Sequence, residues 1–229
     1  MKLIYLFLFS LFSLFFLNPA NAQSKWTEEE LNRANTAKNA GYLSTEEKNI
    51  IFYMNLVRMD GDRFFKTYFQ DFVQSHNLKM QAFRNYEDLK VDRQDKYYRG
   101  LEIDLKLIKG LPMFYPDELL TYGADQHGIE MNRYNLAGHG SKDGRNAQDR
   151  IGKYYPNRSL AENLAFGFAK GLDNVCLLLL DKGVADLGHR KNILNNTLGL
   201  NIVGVSIQRH PTYRYSATID FAGIPNLKI

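Results

Sequence analysis

The spacing of apolar residues predicts helices over most of the first half of the chain. Ser44 and Glu47 have the spacing of a capping box. The apolar positions that follow recur with a helical period and predict one buried stripe: Ile50, Ile51, Met54 and Val57. Aromatic residues within 62–72 keep the same period and indicate core packing, and 101–108 predicts a further helix. The polar residues 75–95 are weakly patterned and predict a long connection.

The middle of the chain carries two stronger helix signals. Pro116, Asp117 and Glu118 favour a helix start, because proline suits the first turn and acidic residues suit the positive end of the helix dipole. The apolar spacing that follows predicts a helix to about Asn135. Residues 172–181 are almost wholly apolar, so a helix there has to be buried on most of its sides.

Near the end of the chain the period of the pattern changes from helical to alternating. Residues 202–207 and 213–221 each predict a strand, and 210–212 predicts the turn between them. The two strands should form a C-terminal antiparallel hairpin. Because several helices come first and paired strands last, the pattern predicts an α+β fold or a helix/sheet/helix sandwich.

The first 22 residues have the features of a signal peptide. Lys2 precedes an apolar run over 3–17, and Ala20 and Ala22 have the spacing of a cleavage site. We expect cleavage after Ala22, a loosely attached polar lead-in over 23–45 with a short helix from Thr27, and one domain over 46–229. The protein should then be secreted, either to the periplasm or to the extracellular medium. No later apolar stretch has membrane length, so we expect no stable membrane insertion.

Charge and cysteine content narrow the class of protein. The formal net charge is +4 and basic residues alternate with acidic ones, so nucleic acid binding has no support. The chain has one cysteine, Cys176, which cannot form an internal disulfide. The stability of a secreted chain of this kind therefore has to come from its core, and Cys176 should be a buried apolar residue.

Two of the five histidines and one glutamate are candidate site residues. His139 lies between two glycines, where the backbone can approach a ligand closely, and His189 follows Gly188. Glu162 lies inside the apolar segment 161–165, and an ionised acid there needs partners or a wet cleft. From the residues alone, a structural glutamate satisfied by backbone donors remains the stronger reading.

The other three histidines have simpler interpretations. His127 lies on the apolar face of its predicted helix and should be a core or cleft-wall residue. His76 and His210 lie in the predicted connection and in the predicted turn, and both should be solvated.

Three motifs occur in the order found in one family. They are Ala-Glu-Asn-Leu-Ala at 161–165, Gly-His-Arg-Lys-Asn-Ile-Leu at 188–194 and Val-Gly-Val at 203–205, preceded by a helix that ends near His139. With these motifs the chain resembles the bacterial branch of the CAP superfamily, the SCP-like extracellular proteins, over roughly 46–223. The resemblance implies an α/β/α sandwich with a central cleft that holds two histidines and two acids.

Carried onto this sequence, the resemblance assigns the cleft to His139, Glu162, Asp181 and His189. The family usually has a glutamate where Asp181 lies, and Asp186 is the alternative for this fourth position. In many members the four residues bind a divalent metal, often zinc, and here His139 and His189 would be its ligands. Two imidazoles and two carboxylates suit such a metal.

The resemblance leaves three functions open. The leading one is a non-enzymatic secreted domain that binds a metal or a small or lipidic ligand, with an unidentified small molecule, lipid or protein as partner. The alternative is a metal-dependent hydrolase of peptide or cell-wall material with Glu162 as general base. The sequence shows no activated nucleophile and no H-E-x-x-H helix for it. The third is a structural role in which the four residues brace the core.

Overall fold

The computed structural model describes residues 26–194 and 197–228. The predicted signal peptide over 1–22 and its cleavage site lie outside the described residues.

The first half of the chain is helical. Its helices are α1 (Glu28–Ala34), α2 (Thr45–Met59), α3 (Gly61–Phe64), α4 (Gln70–Met80), α5 (Tyr86–Leu89) and α6 (Lys96–Lys106), and a π-helical turn over Phe65–Phe69 joins α3 to α4. The prediction of a connection from residue 75 is wrong, because α4 runs on to Met80. Phe72, His76 and Met80 extend its buried face at four-residue spacing. Because His76 is polar, it interrupts the apolar pattern that would have predicted this part of the helix.

The second half mixes helices with strands. Its elements are β1 (Tyr115–Pro116), α7 (Glu118–Tyr134), α8 (Ala147–Gly152), β2 (Leu160–Phe166), α9 (Gly171–Leu180), α10 (Gly188–Leu194), β3 (Ile202–His210) and β4 (Arg214–Ala222). The predicted helix start is confirmed at Glu118, since Asp117 caps α7 by accepting from the Leu120 N–H, but Pro116 lies in β1 and not in the first turn. The apolar α9 is also confirmed, with Cys176 buried in it. Among the described residues, no helix has the length and apolar composition that crossing a bilayer requires.

The four strands form one mixed sheet in the order β1-β3-β4-β2. β3 and β4 pair as the predicted antiparallel hairpin, β2 joins β4 antiparallel, and β1 joins β3 in parallel. The α+β class is therefore confirmed. β2 escaped prediction because its five central residues are all buried and show no alternation of polar with apolar positions.

The two faces of the sheet differ in chemistry. Alternate residues of β3 and β4 belong to the main apolar core, which α2 and α9 also enter: Val203, Val205, Ala217, Ile219 and Phe221. The intervening residues are small or polar and lie towards α7: Gly204, Ser206, Thr218 and Asp220. Glu162 of β2 is the register partner of Asp220 and so belongs to this polar face. The sheet thus brings polar side chains under α7 instead of exposing them to water.

The segment expected to be a loose lead-in is attached to the core. Thr27 caps α1 with a capping box, as the short predicted helix requires. Ala34, Ala37 and Leu43 are buried in the main core. The Asn55 side chain of α2 donates to the Ala34 carbonyl (3.0 Å). The residues that pack here are apolar, but they lie in a polar stretch without helical or strand periodicity. The sequence pattern therefore did not predict this packing.

We predict that the approach of α7 to β3 depends on Gly204. A Cβ there would overlap the Leu120 carbonyl carbon and the Thr121 nitrogen, so helix and strand would have to separate. Gly204→Ala should lower the free energy of unfolding by about 3 kcal/mol in urea titrations. Gly41→Ala is the matched control, because nothing lies within 4 Å of its Cβ, and it should stay within about 1 kcal/mol of wild type. Equal effects of the two substitutions would contradict this packing.

Candidate functional site

The centre of the candidate site is the buried carboxylate of Glu162 on β2. Its side chain is 1% exposed. The Oε1 atom accepts a hydrogen bond from His139 Nδ1 (2.7 Å), and Oε2 accepts one from Arg150 Nη2 (2.6 Å). Both oxygens are thus satisfied by side chains and not by backbone donors. The structural reading of Glu162 that the residues alone favoured is wrong in this respect.

The partners of Glu162 keep it ionised. Burial raises the pKa of its carboxyl, but the hydrogen bond from His139 and the positive charge of Arg150 outweigh burial and hold the pKa below its ordinary value. A buried anion is stable only when it is paired and hydrogen-bonded in this way. Glu162 is therefore a fixed negative charge at neutral pH.

The loop that carries His139 is held by hydrogen bonds at two carbonyl groups. His127 Nε2 donates to the Gly138 carbonyl (3.1 Å), and Arg150 Nη1 donates to the His139 carbonyl (2.7 Å). Gly138 has φ 121°, a conformation that side chains disfavour. Because Nδ1 of His139 donates to an ionised carboxylate, Nε2 carries the lone pair of the neutral ring. The side chain is 51% exposed, so the ring is accessible to a ligand.

His189 forms a second carboxylate–imidazole pair with Asp181. His189 Nδ1 lies 2.7 Å from Asp181 Oδ1, and the Arg190 N–H donates to Oδ2 (3.2 Å). Asp181 closes α9 in the left-handed conformation (φ 53°), which aims its side chain at the start of α10. Of the two acids considered for the fourth position, Asp181 therefore receives His189, while Asp186 is exposed.

Asn163 connects the two pairs. It follows Glu162 on β2, and its Nδ2 donates to the His189 carbonyl (3.1 Å) while its Oδ1 accepts from Asn192 Nδ2 (2.8 Å). Adjacent strand residues point to opposite faces, so the Glu162 pair and the His189 backbone flank β2 on its two sides. β2 is the last strand in the sheet order.

The four residues do not form one cluster of metal ligands. In the described part of the chain, no three His, Cys, Asp or Glu side chains come together in a way that could hold a metal ion. The oxygens of Glu162 and Asp181 all accept the hydrogen bonds given above. What each pair offers is one imidazole Nε2.

Two site residues escaped the sequence analysis. Arg150 of α8 is 7% exposed and holds both Glu162 and the His139 loop, and nothing in its local sequence marks it. Asp220 of β4 lies beside Glu162 on the neighbouring strand and is 1% exposed. Burial, the charge of Glu162 and a hydrogen bond to it raise the pKa of Asp220 well above its ordinary value. Its place between Ile219 and Phe221 in an apolar strand was the available signal.

The remaining histidines are all buried. His127 is the core residue that was expected, and burial lowers the pKa of its ring. The expectation of solvated side chains is wrong for His76 and His210, whose Nε2 atoms lie within hydrogen-bond distance of the carbonyls of Leu89 (3.0 Å) and Leu136 (2.8 Å). Those carbonyls are distant in sequence, so no local pattern could indicate them.

Comparisons with known proteins give two solved structures that are similar to this chain at low sequence identity. No family model and no curated protein matches the chain. An extracellular protein of Bacillus anthracis that contains an SCP domain is similar to 50% of this chain and 35% of its own length, at 23% identity and a TM-score of 0.39. An outer surface protein of Borrelia burgdorferi is similar to 59% of this chain and 97% of its own, at 19% identity and a TM-score of 0.42. The match spans about a third of the Bacillus protein.

We predict that the proton on Asp220 makes the stability depend on pH. Its pKa is raised in the folded state, so the stability that this proton contributes is present at low pH and is lost as the pH rises through the folded-state pKa. Asp220→Asn keeps a donor for Glu162 and cannot ionise. At pH 8 it should exceed the wild-type free energy of unfolding by on the order of 1 kcal/mol or more, and the difference should shrink towards pH 4.

Urea titrations across this pH range measure the effect. Asp71→Asn is the control, because it neutralises an exposed aspartate outside the site and should leave the pH profile unchanged. A profile for Asp220→Asn parallel to that of the wild type would mean that Asp220 is ionised in the folded protein.

Proposed function

We propose that the protein is a secreted binding domain of the CAP type, in which His139 and His189 bind a divalent metal such as zinc or a polar ligand in its place. The observation that carries this proposal is the pair of imidazoles whose Nδ1 atoms are held by buried carboxylates. The protein acts by binding and not by turnover.

Carboxylate–imidazole pairs support metal binding for a physical reason. A carboxylate that accepts from Nδ1 fixes the tautomer and the ring orientation and makes Nε2 a stronger ligand. His139 and Glu162 form one such pair, and His189 and Asp181 form the other. Aspartate in place of the family's usual glutamate serves this purpose, because it reaches His189 from the C-terminus of α9.

The arrangement around β2 supports a shared site. On this proposal the fold is the α/β/α sandwich that the motifs imply, with α7 and α8 towards the polar face and α2 and α9 towards the apolar face. β2 ends the sheet order, so residues from the two faces can meet along its outer edge. Asn163 ties the His189 backbone to the residue next to Glu162.

The donor set fits a metal with open coordination positions. Because the carboxylate oxygens are already engaged, the protein would contribute the two imidazole nitrogens, and water or a ligand would complete the shell. A closed structural zinc site, by contrast, uses four protein ligands. When bound, such a metal supplies positive charge and exchangeable positions for a polar ligand. His139 and His189 orient it, and Glu162 and Asp181 hold these two rings.

The hydrolase alternative has weaker support. It makes Glu162 the general base, which has to be reachable by a water molecule. The Glu162 side chain is 1% exposed, and both its oxygens accept short hydrogen bonds from His139 and Arg150. Its pKa is lowered, which weakens it further as a base.

We predict that zinc affinity depends on both histidines and on Asp181. His139→Ala or His189→Ala should lower the affinity at least about 10-fold in calorimetric titrations, and the double variant should bind little more weakly than either single variant. Asp181→Asn should cost about 10-fold to 100-fold, since it keeps the shape and removes the charge that supports His189. Asparagine also tolerates the left-handed conformation at this position.

Asp186→Asn is the matched control, because it neutralises the exposed neighbouring acid and should leave zinc affinity unchanged. Circular dichroism checks that each variant is folded. Wild-type zinc affinity in the folded double-histidine variant would contradict the proposed metal site and favour a structural role for the four residues.

A further inference from the structure

A second concave site lies beside the first, between α7 and α8. We call it the basic groove and define it by the residues that line it from the two sides: Tyr122, Glu130 and Arg133 of α7, and Arg150, Lys153 and Tyr154 of α8 and the turn after it. Its volume is about 380 Å³. That is within the range of pockets for small ligands, roughly 300–1,000 Å³.

The basic groove is lined by more cationic than anionic side chains. Four cationic side chains line it, namely those of Arg133, Arg145, Arg150 and Lys153, against the single carboxylate of Glu130. Arg145 pairs with Asp143 and Arg150 with Glu162. Arg133 and Lys153 have no carboxylate within 4 Å among the described residues, and both are exposed. These two cations are free to meet an anion.

The groove also contains a buried hydrogen-bond donor without a partner. Nε of Arg150, a hydrogen-bond donor, has no partner, although the residue is 7% exposed. A buried polar group without a partner costs free energy, so the groove has hydrogen-bonding capacity that the protein itself does not use.

Aromatic rings also line the groove. Tyr122 and Tyr134 are 55% and 42% exposed, and Tyr122 packs edge-to-face on Tyr154 with ring centroids 6.4 Å apart. Lys153 Nζ lies 5.5 Å from the Tyr154 ring centroid. Exposed tyrosines beside unpaired cations provide an apolar surface for a ligand that also carries negative charge.

We propose that the basic groove binds a small phosphate monoester, with the phosphate against Arg133 and Lys153 and the organic part on the tyrosine rings. The two unpaired cations, Arg133 and Lys153, suit a doubly charged anion better than a single carboxylate, and guanidinium groups match phosphate oxygens in geometry. The phosphate can belong to a soluble molecule or to a lipid headgroup. The groove adjoins the metal site through Arg150, which donates to Glu162, but Arg133 and Lys153 make no hydrogen bond or ion pair with His139, Glu162, Asp181 or His189.

Calorimetric titration of the full chain tests the proposal, with phenyl phosphate as the probe. Phenyl phosphate should bind at least about 10-fold more tightly than inorganic phosphate, which lacks the ring, or phenol, which lacks the charge. Arg133→Gln combined with Lys153→Gln should weaken phenyl phosphate at least about 10-fold. Lys38→Gln combined with Arg84→Gln is the matched control, because it removes the same charges from exposed positions outside the groove and should change the affinity less than about twofold.

Vesicles of phosphatidylcholine with and without phosphatidic acid distinguish the two sources of the phosphate. Binding to phosphatidic acid vesicles that is lost in the groove variant assigns the phosphate to a lipid headgroup. Equal losses in the groove variant and its control, or no binding of any phosphate by the wild type, would overturn the proposal. The groove variant should keep zinc affinity and His139→Ala should keep phenyl phosphate affinity, so this proposal and the metal proposal fail separately.

Discussion

The structure around the site depends on one buried negative charge, that of Glu162 in β2. An ionised carboxylate inside a protein is costly unless charged and hydrogen-bonding partners surround it. Three elements supply those partners: the loop after α7 brings His139, α8 brings Arg150, and β4 brings Asp220, whose pKa is raised. The same charge that makes Glu162 expensive to bury therefore fixes where these elements lie. Removing it would leave Arg150 as an unpaired buried cation.

The second acid, Asp181, performs the same task for His189 with different local chemistry. The left-handed conformation at the end of α9 turns the side chain towards α10, where it accepts from the ring of His189 and from the Arg190 backbone. Both imidazoles are consequently oriented through Nδ1. The chemistry of the site lies in the two Nε2 atoms, and the acids act by holding the rings.

Local patterns predicted those parts of the molecule whose cause is local. Asp117 caps α7, and the alternating residues of β3 and β4 form the hairpin, as their sequences indicated. Glu162 could be predicted as a candidate site residue because an acid in an apolar segment is unusual. Its partners could not be predicted in the same way. Arg150 lies twelve positions away in the sequence, and Asp220 lies on the neighbouring strand β4. No periodic pattern in the sequence indicates either contact. The resemblance to the SCP-like proteins predicted one cleft with two histidines and two acids, and the structure shows two separate carboxylate–imidazole pairs.

The most direct test of this account is the tautomer of each histidine ring, measured by nitrogen-15 NMR on the folded protein at neutral pH. The account predicts that the neutral rings of His139 and His189 carry their proton on Nδ1, with Nε2 unprotonated. His127 should have the opposite tautomer, because its Nε2 donates to the Gly138 carbonyl. A proton on Nε2 of neutral His139 or His189 would contradict the central claim, since the carboxylates would then not hold those rings and Nε2 would not be free to bind.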